Sequence, residues 1–436
     1  MKNLTNTMRQ MSSFLVLWFG EIVSAVGSGL TSFALGVWVY QETGSVTQFS
    51  IIQFAAVTPA VVFSPIAGVV ADRWKRKNVL ILCHLIQVAA TLGALAVYLT
   101  TTLQVWHIII VVTINSLVTS FQWPAFSSSV TLLVPKNQLG RANGMLQLGF
   151  ALSTISAPAV AGFLVMTLGL GFILALDLGT FLCALVTVVI TKIPDPVQQI
   201  RTIAEGKLLA PLREALLYLK ERSGLLYLLW YFAVLNFSIS VAVALLTPFV
   251  LNQASSAVLG TIMSIGGVGM LVGSVLMSIW GGPVRKRVPL MITCGLVVGG
   301  VIALAGLRTT ILVLGSAAFC LMFVTPVINT TSQVIWQTKV APDLQGRIFA
   351  LRNAVATAAM PIAYVITGVF VDDFFEPAMR EGGSMARTLG WMFGVGEGRG
   401  MGVLAFFVGL LAVVVSVLAL CYPRLRDLDS TVKDAD

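Results

Sequence analysis

The sequence predicts an all-α membrane protein of twelve transmembrane helices in two pseudo-symmetric six-helix bundles, and three observations predict it. The first is composition: of 436 residues, 57% are hydrophobic and 10% charged, with mean hydropathy +0.93. A water-soluble domain carries about 25% charged residues, and no soluble fold of this length hides so much apolar surface. The second is that twelve apolar stretches approach or exceed the roughly 20 residues that a spanning helix needs. The third is charge placement. With both termini assigned to the cytoplasm, all of the 27 Lys and Arg residues except Arg308, Arg380, Arg387 and Arg399 fall on the cytoplasmic side. That asymmetry is the positive-inside pattern, and a wrong helix count scrambles it.

The predicted spans, in order, are Phe14–Tyr40, Phe49–Ala71, Val79–Leu99, Val105–Val134, Met145–Leu168, Gly171–Thr191, Leu225–Leu251, Val258–Trp280, Val288–Leu307, Ile311–Val340, Ile348–Val371 and Met401–Tyr422. The first follows a polar start, Met1 to Ser13. It is too long for a signal-peptide core of about 7–15 residues and is read as a retained helix. The segment Val134-Pro-Lys-Asn-Gln-Leu-Gly140-Arg141 after the fourth span returns as Val340-Ala-Pro-Asp-Leu-Gln-Gly346-Arg347 after the tenth. Likewise Gly68 and its basic turn after the second span correspond to Gly281 with Arg285, Lys286 and Arg287 after the eighth. Such a repeat, roughly 200 residues long, implies two parallel halves. The expected organisation is an N-terminal six-helix bundle over 1–191, a cytoplasmic linker over 192–224, a C-terminal bundle over 225–422 and a cytoplasmic tail over 423–436. Within the linker, Pro211 to Arg222 has amphipathic spacing, with Leu212, Ala215, Leu216 and Leu219 on one side. The stretch Asp372 to Gly400 is Gly-rich and acidic and is read as a flexible outer loop. No strand precedes its glycines and no Lys-Ser/Thr follows them, so a phosphate loop is not implied.

The net charge of +9 does not imply nucleic acid. The basic residues sit in short turns between apolar runs, where they set topology and attract anionic lipid, and no continuous basic face forms. Cys83, Cys183, Cys294, Cys320 and Cys421 lie far apart inside or at the ends of apolar runs, which argues against a disulfide framework or a zinc site. No paired carboxylates, His cluster or nucleophile–base set occurs in the spans. An enzyme, a metal and a cofactor are therefore not expected.

Ionisable groups inside a bilayer are costly and mark function. Glu21 lies about 10 Å into the first helix at about 1.5 Å per residue, and Asp177 about as deep in the sixth from the opposite side. His84 sits shallowly in the third. Glu21 begins a polar face with Ser24 and Ser28. A carboxylate in apolar surroundings takes up and releases protons near neutrality, so Glu21 and Asp177 are the proton-coupling candidates. Further polar faces carry Asn115, Thr119, Gln122 and Trp123 on the fourth helix, Asn236 and Ser240 on the seventh, and Asn329, Gln333 and Trp336 on the tenth. Neutral amides beside aromatic rings suit an amphipathic organic ligand.

The turn Gly68-Val-Val-Ala-Asp72-Arg73-Trp-Lys-Arg76-Lys77 resembles the loop 2–3 signature of the major facilitator superfamily of transporters. The fifth helix, with Gly149, Ala157, Pro158 and Gly162, is similar to the antiporter motif of that family, with Ser and Ala in place of several glycines. The opening helix, Leu17-Trp-Phe-Gly-Glu21-Ile-Val-Ser24, resembles the drug-efflux branch that includes macrolide-efflux proteins and the enterobactin exporter. The resemblance covers nearly the whole chain. It implies that helices one, four, seven and ten line a central cavity. It also implies a cytoplasmic gate in which Asp72 meets the start of helix eleven, drawing on Gly68, Arg73, Arg76, Arg141, Gly346, Arg347 and Arg352. The expected function is secondary active export of hydrophobic or amphipathic small molecules by alternating access and proton antiport. The expected setting is a bacterial plasma membrane, the inner one in a Gram-negative cell. The expected partners are a small-molecule substrate, protons and the lipid bilayer, with no nucleic acid, and the monomer is expected to suffice. The alternatives are an exporter dedicated to one siderophore or other secondary metabolite, and a receptor or scaffold that moves nothing.

Overall fold

The computed structural model describes residues 11–135, 139–194, 217–283, 286–308, 310–340 and 342–431. Among them run twelve long helices: α1 Ser12–Thr43, α2 Val46–Arg73, α3 Arg76–Thr100, α4 Val105–Leu133, α5 Leu139–Thr167, α6 Gly169–Ile190, α7 Ser223–Leu251, α8 Ser256–Trp280, α9 Arg287–Leu307, α10 Ile311–Lys339, α11 Pro342–Val369 and α12 Arg399–Cys421. Eleven contain stretches long and apolar enough to cross a membrane, and α5 contributes the apolar segment Ile155–Thr167. The described residues contain no strand. Helices dominate because a backbone in lipid must satisfy its N–H and C=O groups within its own segment. Pro124, Pro158, Pro248, Pro326 and Pro361 sit inside helices, which membrane helices tolerate when neighbours satisfy the freed carbonyls.

The chain divides into two compact units. One comprises Met1–Gly44, Ile51–Ile200 and Ala254–Ser264; the other comprises Ser45–Ser50, Arg201–Gln253 and Ile265–Asp436. Each packs its helices in the same pattern. In the first unit α1 lies on α5 and α6, and α3 lies on α4 and α6. In the second α7 lies on α11 and α12, and α9 lies on α10 and α12. Glycines permit the closest of these contacts. On α1, a Cβ at Gly20 would collide with the Thr187 side chain of α6, and one at Gly27 would sit 2.7 Å from Asp177 Oδ1. On α9, Gly299 and Gly306 face Gly409 and Gly402 of α12, and a Cβ at Gly299 would lie 2.7 Å from the Gly409 carbonyl oxygen. Without a hydrophobic driving force in lipid, such backbone proximity and its dispersion contacts hold helices together.

The first unit has two apolar clusters along its helices. One contains Phe14, Leu17, Leu80, Val118, Phe126 and Val188; the other contains Leu30, Ala34, Ala94, Ile108, Ile173 and Leu174. Glu21, His84, Gln87 and Asp177 fall between these clusters on α1, α3 and α6, and all four are buried. The core of the second unit gathers Leu225, Leu228, Met291, Ile292, Ile335, Trp336 and Ile348.

The stretch from Asp372 to Gly400, expected to be a flexible loop, is largely ordered by helix caps. A π-helical segment Phe370–Phe375 continues α11 into Glu376–Met379, and a further helix spans Ala386–Phe393. Asp372 accepts the Ser45 hydroxyl at 2.6 Å and the backbone N–H groups of Val46 and Thr47 at 3.2 and 2.8 Å, closing the start of α2. Glu376 accepts the N–H groups of Gly398 and Gly400 and closes the start of α12. Gly394, Gly396 and Gly398 adopt positive φ, which makes the tight turns between these caps possible. The expected tail is likewise partly core. Leu425 and Leu428 are buried in the second unit, and Asp429 accepts the Val288 N–H at the start of α9. Of the linker, residues 217–221 are helical and Leu219 is buried; Leu212, Ala215 and Leu216 lie outside the described residues.

Candidate functional site

Glu21 is 8% exposed on α1, and both of its carboxylate oxygens are engaged. Oε1 stands 3.0 Å from His84 Nε2 on α3. Oε2 accepts from Gln122 Nε2 on α4 at 2.7 Å, and Gln122 Oε1 in turn accepts from Gln87 Nε2 at 3.1 Å. His84 and Gln87 lie three positions apart on α3 and so share a face. The sequence reading set His84 apart from Glu21, at shallow depth. The structure makes it the carboxylate's neighbour, at 0% exposure. Gln87 and Thr91 were not singled out, although His84, Gln87 and Thr91 recur at helical spacing in an otherwise apolar run. Nearby on the same helices, Ser24 is buried and Ser28 half-buried. Asn115 has a buried Oδ1 without a partner, and its backbone carbonyl accepts the Thr119 hydroxyl at 2.8 Å. Trp123, at 57% exposure, stacks edge-on against Phe126.

Asp177 is 1% exposed on α6. Its Oδ1 accepts from Thr180 at 3.2 Å, while its Oδ2 has no partner.

In the second unit a pocket of about 530 Å³ is lined by Asn236 of α7, by Asn329, Ser332 and Gln333 of α10, and by Arg352 and Asn353 of α11, among others. Arg352, expected at the gate, lines this pocket. Its Nη2 donates to Gln333 Oε1 at 2.6 Å, and its buried Nη1 has no partner. Trp336, expected in a cavity wall, is 0% exposed and belongs to the apolar core of the second unit. Ser240 is also buried, and it donates to the Asn236 carbonyl at 2.7 Å.

Except for Arg76, the remaining gate candidates are placed only by backbone. Gly68, Asp72 and Arg73 lie in the last turns of α2, Arg141 in α5, and Gly346 and Arg347 in the first turns of α11; their side chains lie outside the described residues. Arg76 opens α3. On α5, Gly162 and Pro158 receive the start of α8: a Cβ at Gly162 would meet the Ser256 carbonyl, and Gly260 packs on the Pro158 carbonyl. Ser264 donates to the Ile155 carbonyl at 2.5 Å. Ala157 is buried against Gly29, and Gly149 against Ile22. Among the described residues no group of three or more His, Cys, Asp or Glu could hold a metal.

Residues 17–364 match the sequence profile of the Major Facilitator Superfamily. The chain belongs to that superfamily. As a superfamily member it is a multi-pass membrane transporter and not an enzyme. It is 29% identical to macrolide efflux protein A of Streptococcus pyogenes over 82% of this chain and 89% of that protein. It is 31% identical to macrolide efflux protein A of Enterococcus faecalis over 70% of this chain and 95% of the relative. These similarities agree with the drug-efflux branch that the opening helix resembles. Among solved structures, a mutant of the nucleoside transporter NupG superposes with a TM-score of 0.71 at 14% identity, covering 93% of this chain and 98% of its own, and supports the fold.

Proposed function

We propose that this superfamily member exports hydrophobic or amphipathic small molecules, macrolide-like compounds included, by alternating access coupled to proton antiport. The observation that carries the reading is the buried Glu21 carboxylate, held by side chains from two other helices in the interior of the first unit. A charge placed there is too costly to be incidental. Asp177 is the second proton-coupling candidate. The amide-lined pocket of the second unit supplies substrate contacts through Asn236, Asn329 and Gln333, with Arg352 as a further contact. In this reading Ser24, Ser28, Asn115, Thr119, Gln122 and Trp123 contribute from the first bundle. The bundles extend over 1–191 and 225–422, joined by the linker 192–224 and followed by the tail 423–436. Both termini are cytoplasmic in a bacterial plasma membrane. Asp72 with Gly68, Arg73, Arg76, Arg141, Gly346 and Arg347 forms the cytoplasmic gate, and the small residues of α5 carry the antiporter-type helix contact.

Proteoliposomes with an imposed pH gradient test this. The wild-type protein should accumulate a macrolide such as erythromycin against its gradient. Glu21→Gln should abolish that uphill movement and spare downhill exchange, since a neutral amide keeps the packing but removes the carboxylate on which coupling depends. Absence of flux from the wild-type protein for every compound tried would favour the scaffold alternative.

A further inference from the structure

The direction of the hydrogen bonds around Glu21 says where a proton is stored. Gln87 Nε2 donates to Gln122 Oε1, which leaves the Gln122 amide nitrogen to donate to Glu21 Oε2. Glu21 is thus set up as an acceptor, and an ionised carboxylate accepts on both oxygens. His84 Nε2 then donates to Oε1 at 3.0 Å. With that bond made, the imidazole is neutral and its Nδ1 presents a lone pair. Nδ1 is buried and has no partner. The next two side chains on that face of α3 carry buried polar atoms that also lack partners, Gln87 Oε1 and Thr91 Oγ1. Three such atoms in succession along an apolar helix suit a proton acceptor served by water.

We propose that the exchanged proton resides on His84 Nδ1 and that Glu21 is its fixed counter-charge. This rests on the proton-antiport reading above. Loading forms one N–H bond, with the proton taken from water on one side of the membrane, and turns a pair of net charge −1 into a neutral imidazolium–carboxylate pair. Unloading breaks that bond and returns the proton to water on the other side. The loaded form is the less costly one to hold in a low-dielectric interior. Among the described residues, the other ionisable groups on the elements packed around His84 are Arg76, Lys77, Cys83 and Tyr98 on its own helix, Tyr40 and Glu42 toward the far end of α1, His107 at the start of α4, and Asp177 and Cys183 on α6. Only Glu21 is in hydrogen-bond contact with it.

The chain has two histidines, so ¹⁵N-imidazole NMR can observe His84 alone in a full-length His107→Gln protein in lipid nanodiscs. Glutamine at 107 retains an acceptor for the Gln104 N–H that His107 now holds at 3.0 Å. As pH falls, Nδ1 should move from the unprotonated to the protonated shift while Nε2 stays protonated throughout. In proteoliposomes, His84→Gln should lose pH-driven accumulation and keep downhill exchange. The proposal is overturned if Nε2 rather than Nδ1 gains the proton, if neither nitrogen titrates, or if His84→Gln still accumulates substrate against its gradient. A wild-type protein without pH-driven transport sinks the antiport reading alone. The NMR result then still decides where the pair holds its proton.

Discussion

Arg352 shows how much one side chain's position can change its reading. In the sequence it stands one turn past Gly346-Arg347 and reads as part of a gate. In the structure its guanidinium lies in an amide-lined pocket, bonded once to Gln333 and bordered by Phe349 at 5.4 Å from the ring centroid. A guanidinium presents five donors in a rigid fork, and a buried donor without an acceptor costs about 1–3 kcal/mol. A ligand carbonyl or carboxylate oxygen would relieve that cost. Arg352→Ala should therefore raise the half-saturating concentration of an oxygen-rich substrate by about tenfold. Arg352→Lys should recover only part of the loss, because an ammonium keeps the charge but not the planar fork. Initial-rate transport in proteoliposomes measures both. Glu21 was legible as a functional candidate because an acid inside an apolar run is conspicuous. Its partner was harder to find. His84, Gln87 and Thr91 share a helical spacing that is visible in the sequence, but nothing there says that their face turns toward α1 and α4.

At the scale of helices, hydropathy carried most of the information. The twelve predicted spans correspond one to one with α1 to α12, and the structure mainly lengthens them: α1 runs from Ser12 to Thr43 where the apolar run is Phe14–Tyr40. Helix ends are where the reading fell short, because caps come from residues remote in sequence. Asp372 caps a helix 326 residues before it. Asp372→Ala removes its three hydrogen bonds at the start of α2, and loss of a cap costs about 0.5–2 kcal/mol. The thermal midpoint in detergent should fall, with Asp372→Asn falling less because its amide oxygen still accepts. The glycine contacts between α9 and α12 make a second prediction. A Cβ at Gly409 would sit 2.6 Å from the Gly299 carbonyl oxygen and 2.9 Å from Ala303 Cα. Gly409→Leu should cost about 1–3 kcal/mol by overpacking. The same substitution at Gly300, where a Cβ meets nothing within 4 Å, should be tolerated. Thermal unfolding followed by intrinsic fluorescence compares the two.

For the whole molecule, the internal repeat and the charge asymmetry predicted a duplicated architecture, and each unit shows the same helix pairings. The exchange of short segments between units was not legible. The first turn of α2 packs with the second unit, where a Cβ at Gly368 would lie 2.7 Å from Thr47 Cα; the first turns of α8 pack with the first unit, on Gly162 and Pro158. The two exchanges occupy equivalent places in the repeat. In the proposed topology an even number of spans places both termini on one side of the membrane, and the positive-inside pattern assigns that side to the cytoplasm. Green fluorescent protein fused to either end should therefore fluoresce, and alkaline phosphatase fused to either end should stay inactive. An active phosphatase at one end alone would require an odd number of crossings.

The sequence by itself determined the solvent this chain folds in, the number and order of its helices, the duplication and the superfamily. Those properties follow from local hydrophobicity, charge placement and short motifs, all of which are read along the chain. Only the tertiary structure decided that Glu21 meets His84, that Arg352 lines a pocket, and that acids after α11 close the starts of α2 and α12. These pairings join residues tens to hundreds of positions apart, and hydropathy does not encode which face of a helix meets which neighbour. Close backbone approach at glycines and the satisfaction of buried polar groups select those faces, and both arise only once the helices are packed.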